Sequence, residues 1–229
     1  MPNFSSRSLQ KELLDEPSIP QADLFRNLTE LAFINSYLGG HQVIIHAIEP
    51  LLQQFPTAQI IEIGSGGGDN LAALEKKFKK RFPDVQFLGV DLKEDCLTFA
   101  SAQYPTIDFQ CNDYRKVEFD TNRPTLFFNS LFCHHFSDDS LVEMLKWLNK
   151  HATAGFVIAD LHRHSFAYWS IKWLTKWFSS SYLVKNDAPL SVLRGFSKKE
   201  WITLLAKAEI QSYQIAWKWA FRWVITVRK

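Results

Sequence analysis

The chain has 229 residues, 46% of them hydrophobic and 22% charged, which suits one domain with a real core and excludes a disordered or low-complexity chain. A formal charge of +2 conceals two unlike parts: residues 1–150 carry 14 Lys and Arg against 20 Asp and Glu, while residues 151–229 carry 12 against 4 and most of the eight tryptophans. Three cysteines without CxxC spacing argue against a disulfide framework or a zinc ribbon, no run reaches the ~18 apolar residues of a membrane span, and MPNFSSRSLQKELLDEP lacks the apolar stretch of a secretory leader. A cytoplasmic protein is the expectation.

In chain order, residues 8–17 and 21–55 carry helical spacing and are separated by Pro17 and Pro20. Leu24, Leu28, Leu31, Ile34 and Leu38 recur at three- and four-residue steps, the pattern of a one-sided buried face. Gly39-Gly40 divides them from a further apolar helix over 41–54. Residues 1–55 are expected as a helical cap and 56–229 as the main domain, the two forming one structural unit.

From residue 59 short apolar runs alternate with polar helices, predicting strands at 59–64, 85–91, 107–113, 125–130 and 155–160. The helix DDSLVEMLKWLNKHA is expected to be capped by Asp138 or Asp139. A Trp-rich helix follows around 165–180 and another at 197–208. Residues 210–228 alternate as two strands joined near Ala220. The pattern predicts an α/β fold, a three-layer α/β/α sandwich with a mostly parallel seven-stranded sheet and a C-terminal antiparallel hairpin, plus the N-terminal cover helices.

The stretch IIEIGSGGGDN (60–70) holds four of the nine glycines. Glycine between a strand and a helix lets a ligand approach the backbone. A dinucleotide fingerprint would need glycine at position 69 and a P-loop would need Lys with Ser or Thr; Asp69-Asn70 stand there, and a carboxylate repels a pyrophosphate. Glu62 precedes the glycines where an acid meets a cationic ligand. Asp91 ends the next strand, 27 residues beyond Gly64, placed for ribose hydroxyls. Asn112-Asp113 end the third, placed for an adenine amino group. Together these describe a nucleoside with a positively charged tail and no phosphates.

EIGSGGG, the GVD of the second strand and the CND of the third resemble the class I S-adenosylmethionine-dependent methyltransferases over roughly residues 55–229. The resemblance implies S-adenosylmethionine as cofactor. Glu62 would hold its amino-acid end, Gly64, Ser65 and Gly66 its methionine and ribose, Asp91 with Leu92 the ribose, Asn112 and Asp113 the adenine, and Asn129 or Ser130 the methionine side. FCHHFSD is similar to the quinone-biosynthesis group, and VIADLHRHSFAYW onward resembles methyltransferases that accompany phenolic-lipid polyketide synthases.

A phenol or enol acceptor gains from a nearby imidazole base. His134 and His162 are the catalytic candidates; His135, His164 and Trp169 are candidates for the acceptor. His135 reads equally as structural, and His162 and His164, two apart, are not expected both to point inward. No Asp, Glu and His spacing demands a metal, and none is expected. Trp169, Trp173 and Trp177 share a helical face beside Lys172 and Lys176, which reads as a lid, a membrane-surface contact or core packing. The expected partner is a small hydrophobic aromatic acceptor, with no nucleic acid. A nucleic-acid or protein methyltransferase using the basic Trp-rich region, or a non-catalytic binder, stands as the alternative; NSLF at the fourth strand lacks the Pro-Pro motif of base methylation.

Overall fold

The computed structural model describes residues 2–16 and 18–229. Seven strands form one sheet in the order β3-β2-β1-β4-β5-β7-β6. In the chain they are β1 Gln59–Ile63, β2 Gln86–Asp91, β3 Asp108–Cys111, β4 Thr125–Ser130, β5 Gly155–Leu161, β6 Gln214–Lys218 and β7 Arg222–Arg228. The first five run parallel, while β7 runs antiparallel to both β5 and β6. Leu161 pairs with Arg222, so the turn between β6 and β7 lies at the carboxyl edge of the parallel strands.

The helices are α1 Gln21–Tyr37, α2 Gly40–Gln54, α3 Asp69–Phe78, α4 Glu94–Gln103, α5 Asp138–His151, α6 Ser165–Phe178, α7 Tyr182–Arg194 and α8 Lys198–Lys207. Successive strand residues face opposite sides. On one face Ile60, Phe128, Val157 and Val224 pack in one cluster with Ile48 and Leu52 of α2 and Leu71 and Phe78 of α3. On the other, Ile61, Phe127, Ile158 and Ile225 pack with Leu141 and Leu145 of α5 and Trp201 and Leu205 of α8. Each full burial of this kind stabilises by about 1.5–3 kcal/mol. The expected sandwich and its terminal hairpin are therefore present.

Four details depart from the sequence reading. Of the helix expected over 8–17, residues 8–16 form only a 3-10 turn at Leu13–Asp15, and Pro17 lies outside the described residues. The remainder is a strap tied across the molecule, with Ser8 N donating to Leu193 O and the Leu13 and Leu14 amides to the Asp187 carboxylate. Helix α7 was not anticipated, because Pro189 and the polar Lys185-Asn186-Asp187 blur its apolar period. The cap of α5 is Ser137, whose hydroxyl accepts from Ser140 N, rather than Asp138 or Asp139. On α1 the buried residues are Leu24, Asn27, Leu28 and Asn35, so its inner face turns polar where Leu31 and Ile34 were expected to be buried.

Candidate cofactor and acceptor site

The turn after β1 builds the first half of the site. Gly64 and Gly68 have φ of +72° and +78°, where a β-carbon is strained. At Gly64 such a carbon would stand 2.1 Å from the Phe132 ring. Asp91, at the end of β2, accepts from Gly66 N at 2.9 Å and Lys93 N at 3.0 Å, which fixes the loop before any ligand arrives. Behind it runs a buried polar chain. Asn70 Nδ2 donates to Glu62 Oε1, Asn35 Nδ2 donates to Asn70 Oδ1 and Asp69 Oδ2, and His41 Nε2 meets Asp69 Oδ2 at 2.6 Å. The polar face of α1 thus serves the glycine loop, a role its apolar spacing did not show.

Glu62 is buried, and burial with the nearby Asp69 and Asp91 carboxylates pushes its acid well above the usual carboxylate range. Its second oxygen, Oε2, has no hydrogen-bond partner, nor do Ser65 Oγ, Asn27 Nδ2, Asn35 Oδ1 and Asn129 Nδ2. A buried polar atom left unpaired costs roughly 1–3 kcal/mol, so these five atoms, on β1, the loop, the end of β4 and α1, would gain from a polar ligand. An unpaired carboxylate oxygen matches a cation, and unpaired amide donors match a carboxylate. An amino-acid moiety carries both, so these residues fit the methionine end of S-adenosylmethionine.

The remaining cofactor candidates are less uniform. Ser130 is buried at the end of β4, while Leu92 is 72% exposed. Asn112 is turned inward on its own loop, its amide donating to Lys116 O and its carbonyl accepting from Asp113 N. Asp113 is taken by Arg115, whose hydrogen bonds hold its carboxyl below the usual range and occupy both oxygens. An adenine amino group would have to share that carboxylate with Arg115.

The second half lies beyond β4 and β5. Leu131 has φ +53°, a sharp turn for a branched residue, and it delivers Phe132 onto Gly64 and His134 beneath the strap. His134 is buried, with Nδ1 2.7 Å from Asp160 Oδ1 and Nε2 facing Glu12. Burial alone would push this imidazole down, but Asp160 and Glu12 push it up to about 10. His134 therefore stands here as a buried ionic partner of Asp160 and Glu12, an arrangement that does not itself supply the neutral base expected of it. His135 Nδ1 meets Asp15 at 3.0 Å. His164 caps α6, its Nδ1 accepting from Phe166 N, which is a structural task rather than an acceptor contact. Glu12, Asp160 and Arg194, absent from the sequence reading, complete this centre: Arg194 Nε donates to His134 O, and Glu12 accepts from Ser191 Oγ. Of these only Asp160 had a local signal, as the acid closing a strand.

His162 differs from His134. It is half-buried, and burial with the neighbouring His164 and Arg163 holds it below the ordinary histidine value, so it is neutral near pH 7. Trp217 Nε1 donates to its Nδ1 at 3.3 Å, which places the ring proton on Nε2. His162 is half-buried and His164 exposed, their rings 5.4 Å apart and both beside Phe221, so the two do not both point inward.

Around this half runs a rim of exposed rings. Phe166, Trp217 and Trp219 are 64%, 46% and 64% exposed, and Trp219 lies beside Gly39, where α1 gives way to α2. There Phe33 and Tyr37 stack at 4.2 Å, both exposed. Trp169, Trp173 and Trp177 continue the exposed surface along α6, with Lys172 over Trp169 and Lys176 over Trp173. Of the three readings of this helix, core packing is excluded for these rings. A cavity of about 410 Å³ beside Glu209 and Tyr213 lies before β6 begins, away from the carboxyl edge, and plays no part here.

Residues 60–173 match the family described as methyltransferase domain. Human N-acetylserotonin methyltransferase in complex with SAM is similar at 17% identity and a TM-score of 0.63, covering 92% of this chain and 56% of that one. A SAM-dependent methyltransferase from Aquifex aeolicus is similar at 13% identity and a TM-score of 0.60, covering 91% and 98%. The plantazolicin methyltransferase in complex with a monoazolic desmethyl analogue and SAH is similar at 16% identity and a TM-score of 0.61, covering 84% and 74%. The chain thus spans little more than half the length of the human enzyme. No curated protein matches it. Residues 60–173, just under half of the chain, thus match a methyltransferase domain, and the fold of the chain is shared with S-adenosylmethionine-dependent methyltransferases of known structure.

Proposed function

We propose that this protein moves a methyl group from S-adenosylmethionine to a small apolar acceptor, aromatic or lipid-like, at oxygen or carbon. The cofactor, when bound, supplies a methyl already activated on a sulfonium. Glu62 Oε2 and the Asn129 amide would hold its amino-acid end, and Asp91 its ribose; what remains for the chain is to place the acceptor in line and exclude water. His162, with its proton on Nε2, would hold an acceptor oxygen as a donor. It becomes a base only if Trp217 releases Nδ1.

The observation that carries the acceptor class is the rim of exposed rings at the carboxyl edge. Open α/β sheets bind ligands at that edge, and exposed aromatic surface on this scale is what an apolar ligand or surface covers. The tryptophan and lysine face of α6 suits a membrane surface from which a lipid-like acceptor is drawn. Radiolabelled S-adenosylmethionine incubated with the protein, a panel of alkylphenols, RNA and a protein lysate tests the reading. Label in the phenols is expected, insensitive to salt. Label only in RNA or protein, or steep loss of activity with salt, overturns it.

A further inference from the structure

We propose that Glu12, His134 and His135 form a binding site for a divalent ion of the zinc type, which clips the N-terminal strap to the turn after β4. The observation is the orientation of the two imidazoles. Asp160 sits behind Nδ1 of His134 at 2.7 Å, and Asp15 behind Nδ1 of His135 at 3.0 Å. A carboxylate behind the ring is how metal-ligating histidines are held, because it fixes the ring and leaves the lone pair of the other nitrogen forward. Both forward nitrogens converge on Glu12, His134 Nε2 at 3.5 Å from Oε1 and His135 Nε2 at 3.8 Å from Oε2.

Those two distances are long for hydrogen bonds. They lie near the separation of two ligands on one tetrahedral zinc, roughly 3.3 Å for bonds of about 2.0–2.1 Å. The three ligand atoms all lie within 4.8 Å of one another. Two imidazoles and a carboxylate suit zinc and its neighbours, whereas calcium and magnesium take oxygen sets.

Charge points the same way. Glu12, Asp15 and Asp160 bring three carboxylates. Arg194 approaches Glu12 at 3.8 Å and Asp15 at 3.4 Å. Arg7 is spent on the Arg194, His134 and Phe136 carbonyls and on Asp138. One arginine and one divalent ion balance the three carboxylates, the ion taking the place of the proton that His134 otherwise holds between Asp160 and Glu12. Access is also provided: His135 is half-buried and borders a cavity of about 340 Å³ shared with Lys11, Asp15, Phe136 and Arg194, which leaves room for water as a fourth ligand.

The test uses the whole protein after treatment with chelator and dialysis, titrated at pH 7.5 with Co²⁺ and followed by visible absorption. One equivalent with the strong bands of tetrahedral cobalt, displaced by Zn²⁺, is expected. His135→Ala, a half-exposed change, should lower zinc affinity roughly 100-fold in calorimetry, with circular dichroism unchanged. Glu12→Gln should do the same and stands in for it if His135→Ala misfolds. Absence of saturable zinc or cobalt uptake overturns the proposal, as does undiminished affinity in the correctly folded variant. None of these readouts involves methyl transfer, so failure of the metal site and failure of the functional reading are told apart.

Discussion

The two halves of the carboxyl edge are built on opposite principles. The cofactor half, at the ends of β1 and β2, leaves buried polar atoms without partners, Glu62 Oε2 and Ser65 Oγ among them. The half beyond β4 and β5 sets His134, Asp160, Glu12 and Arg194 against one another. It presents to the outside aromatic rings instead. Unpaired groups wait for a specific polar ligand, since each unmet hydrogen bond is regained on binding. Paired groups hold a shape. The difference separates where chemistry is recognised from where the scaffold is locked.

Breaking a lock should cost most. His134→Leu removes the partner of buried Asp160 and leaves a carboxylate without compensation, a loss of about 3–5 kcal/mol. Urea unfolding followed by circular dichroism reads this directly. A variant that keeps its stability and loses only turnover would show that His134 belongs to the chemistry after all.

Removing a ligand acceptor should cost less stability and more affinity. Asp91→Ala takes away the expected ribose acceptor and frees the Gly66 and Lys93 amides it holds. A charge-assisted pair is worth about 1.5–3 kcal/mol, so binding of S-adenosylmethionine should weaken by roughly 10- to 100-fold in calorimetry. An unchanged dissociation constant would remove Asp91 from the cofactor site.

These two cases also show what the sequence could disclose. The cofactor half is local: strand, glycines, acid, each contiguous, so EIGSGGG and the GVD of β2 name their own roles. The locked half is assembled from distant pieces. Glu12 meets His134 because a strap crosses the molecule, and the strap is held by Arg194 and Asp187 of a helix whose proline hid it. His134 therefore read as a catalytic candidate, when the distant Glu12 and Asp160 surround it with buried carboxylates. His162, by contrast, kept its candidacy because its surroundings are rings and not acids.

At His162 the expected effect is smaller. As a donor through Nε2 it should be replaced in part by Gln, so His162→Gln should keep more activity than His162→Ala, which should lose about tenfold. Because its pKa is held below the ordinary histidine value, the neutral form already dominates at pH 7, and kcat should be flat from there upward. Equal loss in both variants would point to a base rather than a donor.

The smallest effect tests the waiting half at its centre. Burial and two neighbouring carboxylates raise the Glu62 acid, so its contribution to stability is present at low pH and fades as pH rises through its folded pKa. Glu62→Gln keeps the shape and the Asn70 contact without the titration. In the ligand-free protein, thermal melts should coincide at acid pH, and the variant should become the more stable as pH rises, by about 1 kcal/mol. Adding S-adenosylmethionine should reverse that order, because only the carboxylate gains from a cationic amino group. If the variant melts the same with and without cofactor as the parent does at every pH, Glu62 is neither strained by burial nor reserved for a ligand.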